Sequence, residues 1–267
     1  MRDQQLEHAL DLCRGARRIN VFTGAGMSAE SGLDTYRDAT TGVWSHVDPQ
    51  AMASIDAWAR DPEPMWAWYL WRAALSRHAD PNAGHRALAA WEQLPGVEAI
   101  TITTQNIDDL HERGGSSEII HLHGSLFDYR CTICSRPWRG GVSLPLVPDD
   151  DTPAHPAGPS ARLRPPRCPL CGNLIRPGVV WFGEPLPERE WDAAERAMAS
   201  ADLVLIVGTS GVVFPAAGLP RIAAELGTPI LEISPEPTDL TRLCDYSWRS
   251  TAATGLPALV DALAGLS

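Results

Sequence analysis

The sequence predicts an α/β fold: a parallel sheet with helices on both faces, a small cysteine-bearing domain and a helical insert. Three observations lead there. Short apolar runs alternate with helical patterns along the chain, one of those runs ends in the turn Gly24-Ala25-Gly26, and four cysteines fall as two Cys-x-x-Cys pairs. Short buried strands separated by helices mean a parallel sheet covered on both sides. At 267 residues the chain can bury a full core, with length for one large domain carrying a smaller insert.

The first 18 residues are charged throughout, and Leu6, Ala9, Leu10 and Cys13 are spaced as one helix face. A strand is expected at residues 19–22. It runs into Thr23-Gly24-Ala25-Gly26-Met27-Ser28, which reads as strand, tight turn and helix start. Gly24 and Gly26 let the backbone approach a ligand closely, and N–H groups at a helix start attract phosphate oxygens, which predicts a dinucleotide pocket. A plain strand-to-helix turn is the alternative. A dehydrogenase pocket also needs an acidic residue about 20 positions on, at the end of a second strand. Residues 41–49 show no strand pattern, so the nucleotide is used differently or not at all. Residues 40–85 are helical and rich in Trp. Further strands are expected at 97–103, 119–122, 179–182, 203–207, 229–233 and 246–248, with helices at 188–199 and 216–226. No internal repeat is visible.

Cys131, Cys134, Cys168 and Cys171 supply four soft thiolates, which suit tetrahedral zinc in a closed structural site. A redox pair would need one Cys-x-x-Cys at a helix start rather than two arranged as a ribbon. Residues 139–167, rich in Pro and Gly with Asp149, Asp150 and Asp151 in a row, read as a surface loop. Cys13 and Cys244 stand alone and read as core thiols. The expected division is 1–39, 86–126 and 175–267 for the nucleotide-binding domain, 40–85 for the helical insert and 127–174 for the zinc-binding domain.

Three polar sets follow strand ends, where open α/β sheets place ligands. Gln105, Asn106, Ile107 and Asp108 could hold ribose hydroxyls and a carboxamide, or could form only an Asx turn and helix cap. His121 and His123, two apart on an expected strand, share a face. Each could be a general base, a metal ligand or a satisfied core residue. Gly208, Thr209, Ser210 and Gly211 repeat the logic of the first glycine turn.

The net charge of -11, with 22 basic against 33 acidic side chains, argues against a nucleic-acid partner. No run of 18 apolar residues and no signal peptide are seen, so a soluble, cytoplasmic protein without a membrane partner is expected, most simply a monomer.

Taken in order, these motifs resemble the sirtuin family of NAD-dependent protein lysine deacylases, from about residue 19 to 260. The resemblance rests on Gly-Ala-Gly-x-Ser-x-x-Ser-Gly, Thr-Gln-Asn-Ile-Asp, Leu-His-Gly, both cysteine pairs, Val-Val-Trp-Phe-Gly-Glu and Gly-Thr-Ser-Gly-x-Val-x-Pro-Ala. It implies a Rossmann-like domain with a zinc-ribbon domain, NAD and zinc as cofactors, and acylated lysine proteins as substrates. By resemblance, Ala25, Gly26, Gly208, Thr209 and Ser210 line the diphosphate and adenosine half, and Gly24, Glu30, Tyr36, Arg37, Ser234 and Ala252 also bind the cofactor. Gln105 holds ribose hydroxyls, and Asn106, Ile107 and Asp108 form the nicotinamide pocket. His123 is the general base on the ribose hydroxyls after the acyl oxygen attacks the anomeric carbon, and an unperturbed imidazole pKa of about 6.5 suits that task. Free lysine, nicotinamide and O-acyl-ADP-ribose are the implied products. Val180, Trp181, Phe182, Gly183 and Glu184 resemble the segment that pairs with the substrate backbone as an added strand.

Tyr69 and Arg72 match the Tyr-x-x-Arg spacing of class III sirtuins, which bind succinyl, malonyl and glutaryl lysine. Three apart on a helix, they point the same way, and a guanidinium with a phenol can recognise a carboxylate. Ala29 resembles the small class III residue that leaves room for a longer acyl chain. An ordinary amphipathic helix face is the alternative. Three positions depart from the family. Tyr36, before Arg37, stands where Phe is usual and would shield the ribose face. Ser234 stands for Asn, and Ser250 for Gly. Three rivals remain. One is an NAD glycohydrolase or ADP-ribosyltransferase using the same pocket. Another is a metal-dependent hydrolase with His121, His123 and Asp108 as ligands, and the third is a non-catalytic zinc-ribbon module.

Overall fold

The computed structural model describes residues 2–33, 53–145 and 162–266. The chain divides into two compact units. One comprises Met1–Thr35, Pro81–Leu122 and Pro187–Ser267, and the other Tyr36–Asp80 and His123–Leu186.

In the first unit, helix α1 (Arg2–Cys13) leads into β1 (Arg18–Thr23), and two short 3-10 turns follow at Ala25–Met27 and Ala29–Ser31. Then come α4 (Ala83–Trp91), β2 (Ala99–Thr104), α5 (Leu110–Gly114), β3 (Glu118–His121), α6 (Glu188–Ser200), β6 (Leu203–Val207), α7 (Pro220–Leu226), β7 (Ile230–Ile233), β8 (Tyr246–Trp248) and α8 (Ala252–Ala264). The six strands form one parallel sheet in the order β3-β2-β1-β6-β7-β8. Strand order therefore reverses between β1 and β6, whose C-terminal residues Thr23 and Val207 sit side by side. Open α/β sheets bind their ligands at such a reversal.

The inner strand β6 reads as an unbroken apolar run, as expected where helices cover both faces of a sheet. Val21, Leu203, Leu205 and Val207 are fully buried, packed in one core with Ala9 and Cys13 of α1, Leu88 and Trp91 of α4, and Leu256 and Leu259 of α8. Helix α6 turns Ala194 and Met198 inward, with its polar face to solvent. The spacing of Ala9 and Cys13 thus marks the buried face of α1, as the sequence predicts. The expected helix at 216–226 is split into a 3-10 turn at Ala216–Gly218 and α7, with Pro220 opening the second piece.

Asn82 starts α4 with a capping box. Its carboxamide oxygen accepts from the N–H of Gly84 at 2.9 Å and of His85 at 3.4 Å, while His85 Nδ1 accepts from Asn82 N–H. The Asn82 amide also donates to the Met27 carbonyl at 2.9 Å, tying the helix start to the glycine turn. His85 and His111 are buried with ring centroids 4.9 Å apart. Burial pushes the His85 pKa down to about 4, helped by Arg86 and opposed by Glu112. His111 is driven well below its ordinary value by burial and by the neighbouring His85 and His121. Both are held neutral in the fold and gain protons on unfolding. Their contribution is therefore complete above pH 6.5 and is lost as pH falls toward 4. The melting temperature is expected to drop across that interval, and His85→Gln to flatten the drop; a profile level from pH 7 to 4.5 would contradict this.

The second unit holds α2 (Ile55–Arg60), α3 (Pro62–His78), β4 (Gly124–Cys131) and β5 (Ile175–Val179). The two strands pair antiparallel, with a register shift between Ser125 and Tyr129. Its core is aromatic: Trp58, Trp66, Trp68, Trp71 and Trp181 are all buried. Two expectations need correction here. The strand expected at 179–182 lies at Ile175–Val179 instead, and the apolar residues that follow it bridge to Ser54 through Phe182. His121 and His123 do not share a strand face, because β3 ends at His121 and the chain turns at Gly124, with φ +75°, into the other unit's β4.

Candidate functional site

In the first unit the two glycine turns interlock at the strand-order reversal. A Cβ on Gly26 would lie 2.8 Å from Gly208 Cα, and one on Gly208, where φ is +60°, would lie 2.4 Å from Met27 N. A Cβ on Gly24 would meet Thr209 Cβ at 2.7 Å. These glycines are thus required by backbone packing at the end of β1 and β6. The helix expected after Gly26 is only a pair of 3-10 turns. Gly24, Gly26, Met27 and Ser28 donate their N–H groups to Val207, Gly208, Gly24 and Ala25 carbonyls, so those four donors do not serve a phosphate.

Beyond β2, three side chains converge. The Asn106 amide donates to Ser28 Oγ at 3.1 Å, and Ser28 Oγ donates to Asp108 Oδ2 at 3.0 Å. Asp108 Oδ1 accepts from Leu110 N–H at 3.1 Å, so the Asx turn and the polar cluster are both present, one on each carboxylate oxygen. Asn106 is set by its own N–H on Thr104 Oγ1 and by its carbonyl, which lies 3.0 Å from His121 Nδ1. His121 Nε2 lies 2.7 Å from Glu112 Oε1. Burial alone would push the His121 pKa down, but Glu112 and the Asn106 carbonyl outweigh it and hold the value above the ordinary one. Both ring nitrogens face acceptors, so the imidazolium is the satisfied form. Committed in this way, His121 is a structural residue and has no nitrogen left for a metal. Gln105 donates its amide to Thr209 Oγ1 at 2.8 Å, joining the β2 set to the second glycine turn.

Around this set, Glu30 accepts from Ala253 N–H at 3.1 Å at the start of α8, next to buried Ala252. Ser234 donates its hydroxyl to the Glu236 carbonyl at 2.7 Å, and the Ser210 carbonyl accepts from Asp239 N–H. Ala29 and Ile107 are half-buried. Tyr36 and Arg37 lie outside the described residues. Ser28 is the residue that the site reading missed: it stands in the quoted Gly-Ala-Gly-x-Ser motif, and its fifth position was the available signal.

In the second unit, His123 directly precedes Gly124, where a Cβ would lie 2.0 Å from the Gly178 carbonyl oxygen. Only glycine admits the β4–β5 pairing there, and the His123 carbonyl is fixed by Val180 N–H at 2.9 Å. Tyr69 on α3 is buried, and its oxygen lies 2.9 Å from Trp181 Nε1. The Arg72 guanidinium stands 5.0 Å over the Trp68 ring, and its Nε is buried without a hydrogen-bond partner among the described residues. Phe182 and Gly183 are exposed, whereas Trp181 is buried, and Glu184 pairs with buried Arg176. Phe182 donates its N–H to the Ala53 carbonyl.

Cys131, Cys134, Cys168 and Cys171 bring their sulfurs within 4.8 Å of one another, the one such ligand group among the described residues. Cys131 and Cys171 are 3.4 Å apart and Cys134 and Cys168 3.8 Å. Tetrahedral zinc with bonds of about 2.3 Å separates sulfurs by roughly 3.8 Å, so the donor set fits that ion in both chemistry and spacing.

A doubly wound sheet with interlocked glycine turns at its reversal, together with a four-cysteine ribbon, defines a Rossmann-like protein of the zinc-bearing kind. The Sir2 family profile matches residues 24–215. A protein named NAD-dependent protein deacylase 2 from Corynebacterium efficiens is 62% identical over 98% of this chain and 99% of its own length. An NAD-dependent protein deacylase of Mycobacterium tuberculosis is 47% identical over 93% of this chain and 99% of its own. A solved Sir2 homologue in complex with NAD superimposes with a TM-score of 0.84 at 41% identity, covering 97% of this chain and 94% of the other. The chain belongs to the Sir2 family.

Proposed function

We propose that this chain is an NAD-dependent protein lysine deacylase whose acyl pocket takes dicarboxylic acyl groups, succinyl, malonyl or glutaryl, as well as acetyl. The first part is supported by the named relatives and by the Asn106–Ser28–Asp108 set beyond the reversal of the sheet. NAD brings an activated glycosidic bond whose nicotinamide can depart. Asn106 and Asp108, with Ile107 beside them, hold the carboxamide end, and Gln105 with the Gly208–Ser210 turn serves the ribose and diphosphate. His123 takes a proton from a ribose hydroxyl. Segment 180–184 receives the substrate backbone, and because Val180 and Phe182 already donate their N–H groups inside the unit, the pairing falls to other main-chain groups.

The acyl preference is carried by one observation: Arg72 holds a buried Nε with no hydrogen-bond partner among the described residues, three residues along α3 from Tyr69. A buried guanidinium donor left unmatched is costly, and a carboxylate at the acyl end would satisfy it. An acetyl group offers no such oxygen.

The test is a set of acetyl, crotonyl, malonyl and succinyl peptides with and without NAD, followed by mass spectrometry. Turnover is expected only with NAD, and kcat/KM highest for the acidic acyl groups. Arg72→Met is expected to lower desuccinylation by about 100-fold, in line with loss of a charge-assisted bidentate contact, and deacetylation far less. Equal losses for both peptides would overturn the acyl assignment, and NAD consumption without peptide would favour glycohydrolysis.

A further inference from the structure

We infer that Trp181, braced by the buried Arg176–Glu184 ion pair, is a positioning residue that sets the hydrogen-bond polarity of Tyr69 for an acidic acyl group. The inference rests on the reading of Tyr69 and Arg72 as the acyl-end pair. Its ground is the contact between Trp181 Nε1 and Tyr69 Oη at 2.9 Å, between two buried side chains. An indole N–H only donates, so the phenol oxygen must be the acceptor. The Tyr69 proton therefore cannot point at Trp181 and is directed elsewhere on the oxygen. A phenol so constrained can donate its proton only to an acceptor other than the indole, which is the polarity that a carboxylate requires.

Trp181 is held unusually firmly for this task. Its main-chain N–H donates to Glu184 Oε2 at 2.8 Å. The Arg176 guanidinium lies 3.3 Å from the centre of the indole ring, and Arg176 is 1% exposed. That guanidinium is itself fixed by both Glu184 oxygens and by the carbonyls of Pro177 and Val179. A buried ion pair is weak as a source of stability but strong as a geometric constraint when its hydrogen bonds are filled. A cation on the ring face also draws on the indole's electrons, which strengthens its N–H as a donor. The Val-Val-Trp-Phe-Gly-Glu segment thus supplies, besides a strand edge, the inner support of the acyl pocket.

The experiment compares kcat/KM for succinyl and acetyl peptides in the wild type, Trp181→Phe, Tyr69→Phe and the double variant. Trp181→Phe is expected to lower the succinyl-to-acetyl ratio about tenfold, chiefly through KM for the succinyl peptide. In the Tyr69→Phe background the same change should leave the ratio within about twofold, because Trp181 acts through the phenol. Should Trp181→Phe fold poorly, Arg176→Lys is the second variant: it keeps the charge, removes the planar stack, and is expected to lower the ratio in the same Tyr69-dependent way. A wild-type preference for succinyl with no change of ratio in these variants, or an equal fall in both Tyr69 backgrounds, overturns the inference alone. A wild type with no preference for acidic acyl groups overturns the acyl reading and the inference with it.

Discussion

His123→Ala is expected to lower NAD-dependent deacylation by about 100- to 10,000-fold, the usual worth of a positioned general base. The fold should survive the change. His123 is fixed through its main chain, by the Val180 N–H on its carbonyl and by the glycine that follows it, and neither contact involves the imidazole. A melting temperature near that of the wild type would therefore accompany the loss. On the proposed function the base would act on the ribose hydroxyl once nicotinamide has gone, so nicotinamide release in the first turnover should be retained better than formation of free lysine. Steady-state kinetics with a burst measurement of nicotinamide separates the two steps. Wild-type rates of peptide deacylation in the alanine variant would remove His123 from the reaction.

Ser28→Ala makes an informative contrast in kind. The hydroxyl accepts from Asn106 and donates to Asp108, so its removal would loosen both side chains without touching the base.

The sheet was legible because its central strands are covered on both sides: 203–207 is a continuous apolar run, and 230–233 is broken only by the buried Glu232. The antiparallel pair was not. Strand β5 contains Pro177 and Gly178, which ordinarily mark breaks, and β4 carries Asp128 and Arg130 among its apolar residues. A Gly at 178 is needed because a Cβ there would lie 2.7 Å from the Asp128 side chain, a tertiary requirement that no local pattern reveals. The apolar residues 179–182 drew the strand reading to the wrong place, since Trp181 is buried by an ion pair and a tyrosine rather than by a sheet.

At the candidate site, motif order singled out residues but could not show their contacts. Asn106 and Asp108 were visible as polar residues after a strand, whereas their shared partner Ser28 lies 78 and 80 positions away. The separation of His121 from His123 was hidden for a different reason. Two residues apart reads as one strand face, but β3 ends at His121 and β4 begins at the left-handed Gly124, so His123 lies in the turn between them.

Cys131→Ser is expected to cost the second unit its fold. A structural four-thiolate zinc site contributes roughly 10–16 kcal/mol in small metal-dependent domains, comparable with or larger than the 5–15 kcal/mol that holds an ordinary domain together. The segment around the cysteines has few apolar residues to compensate: Ile133 and Leu170, between the paired sulfurs, are 68% and 61% exposed. Cys131 itself is buried at the end of β4, paired with Ile175 at the start of β5, so an unmet ligand there would unsettle the hairpin on which His123 and segment 180–184 depend. The consequence distinguishes this site from the acyl pocket. Loss of zinc should abolish removal of acetyl and succinyl groups alike, whereas Arg72→Met is expected to separate them if the proposed acyl reading holds. One zinc per chain by atomic absorption in the wild type, its loss in Cys131→Ser, and a matching drop in melting temperature are the expected measurements. A serine variant that kept full activity and melted normally would mean that the four sulfurs converge without holding the unit together.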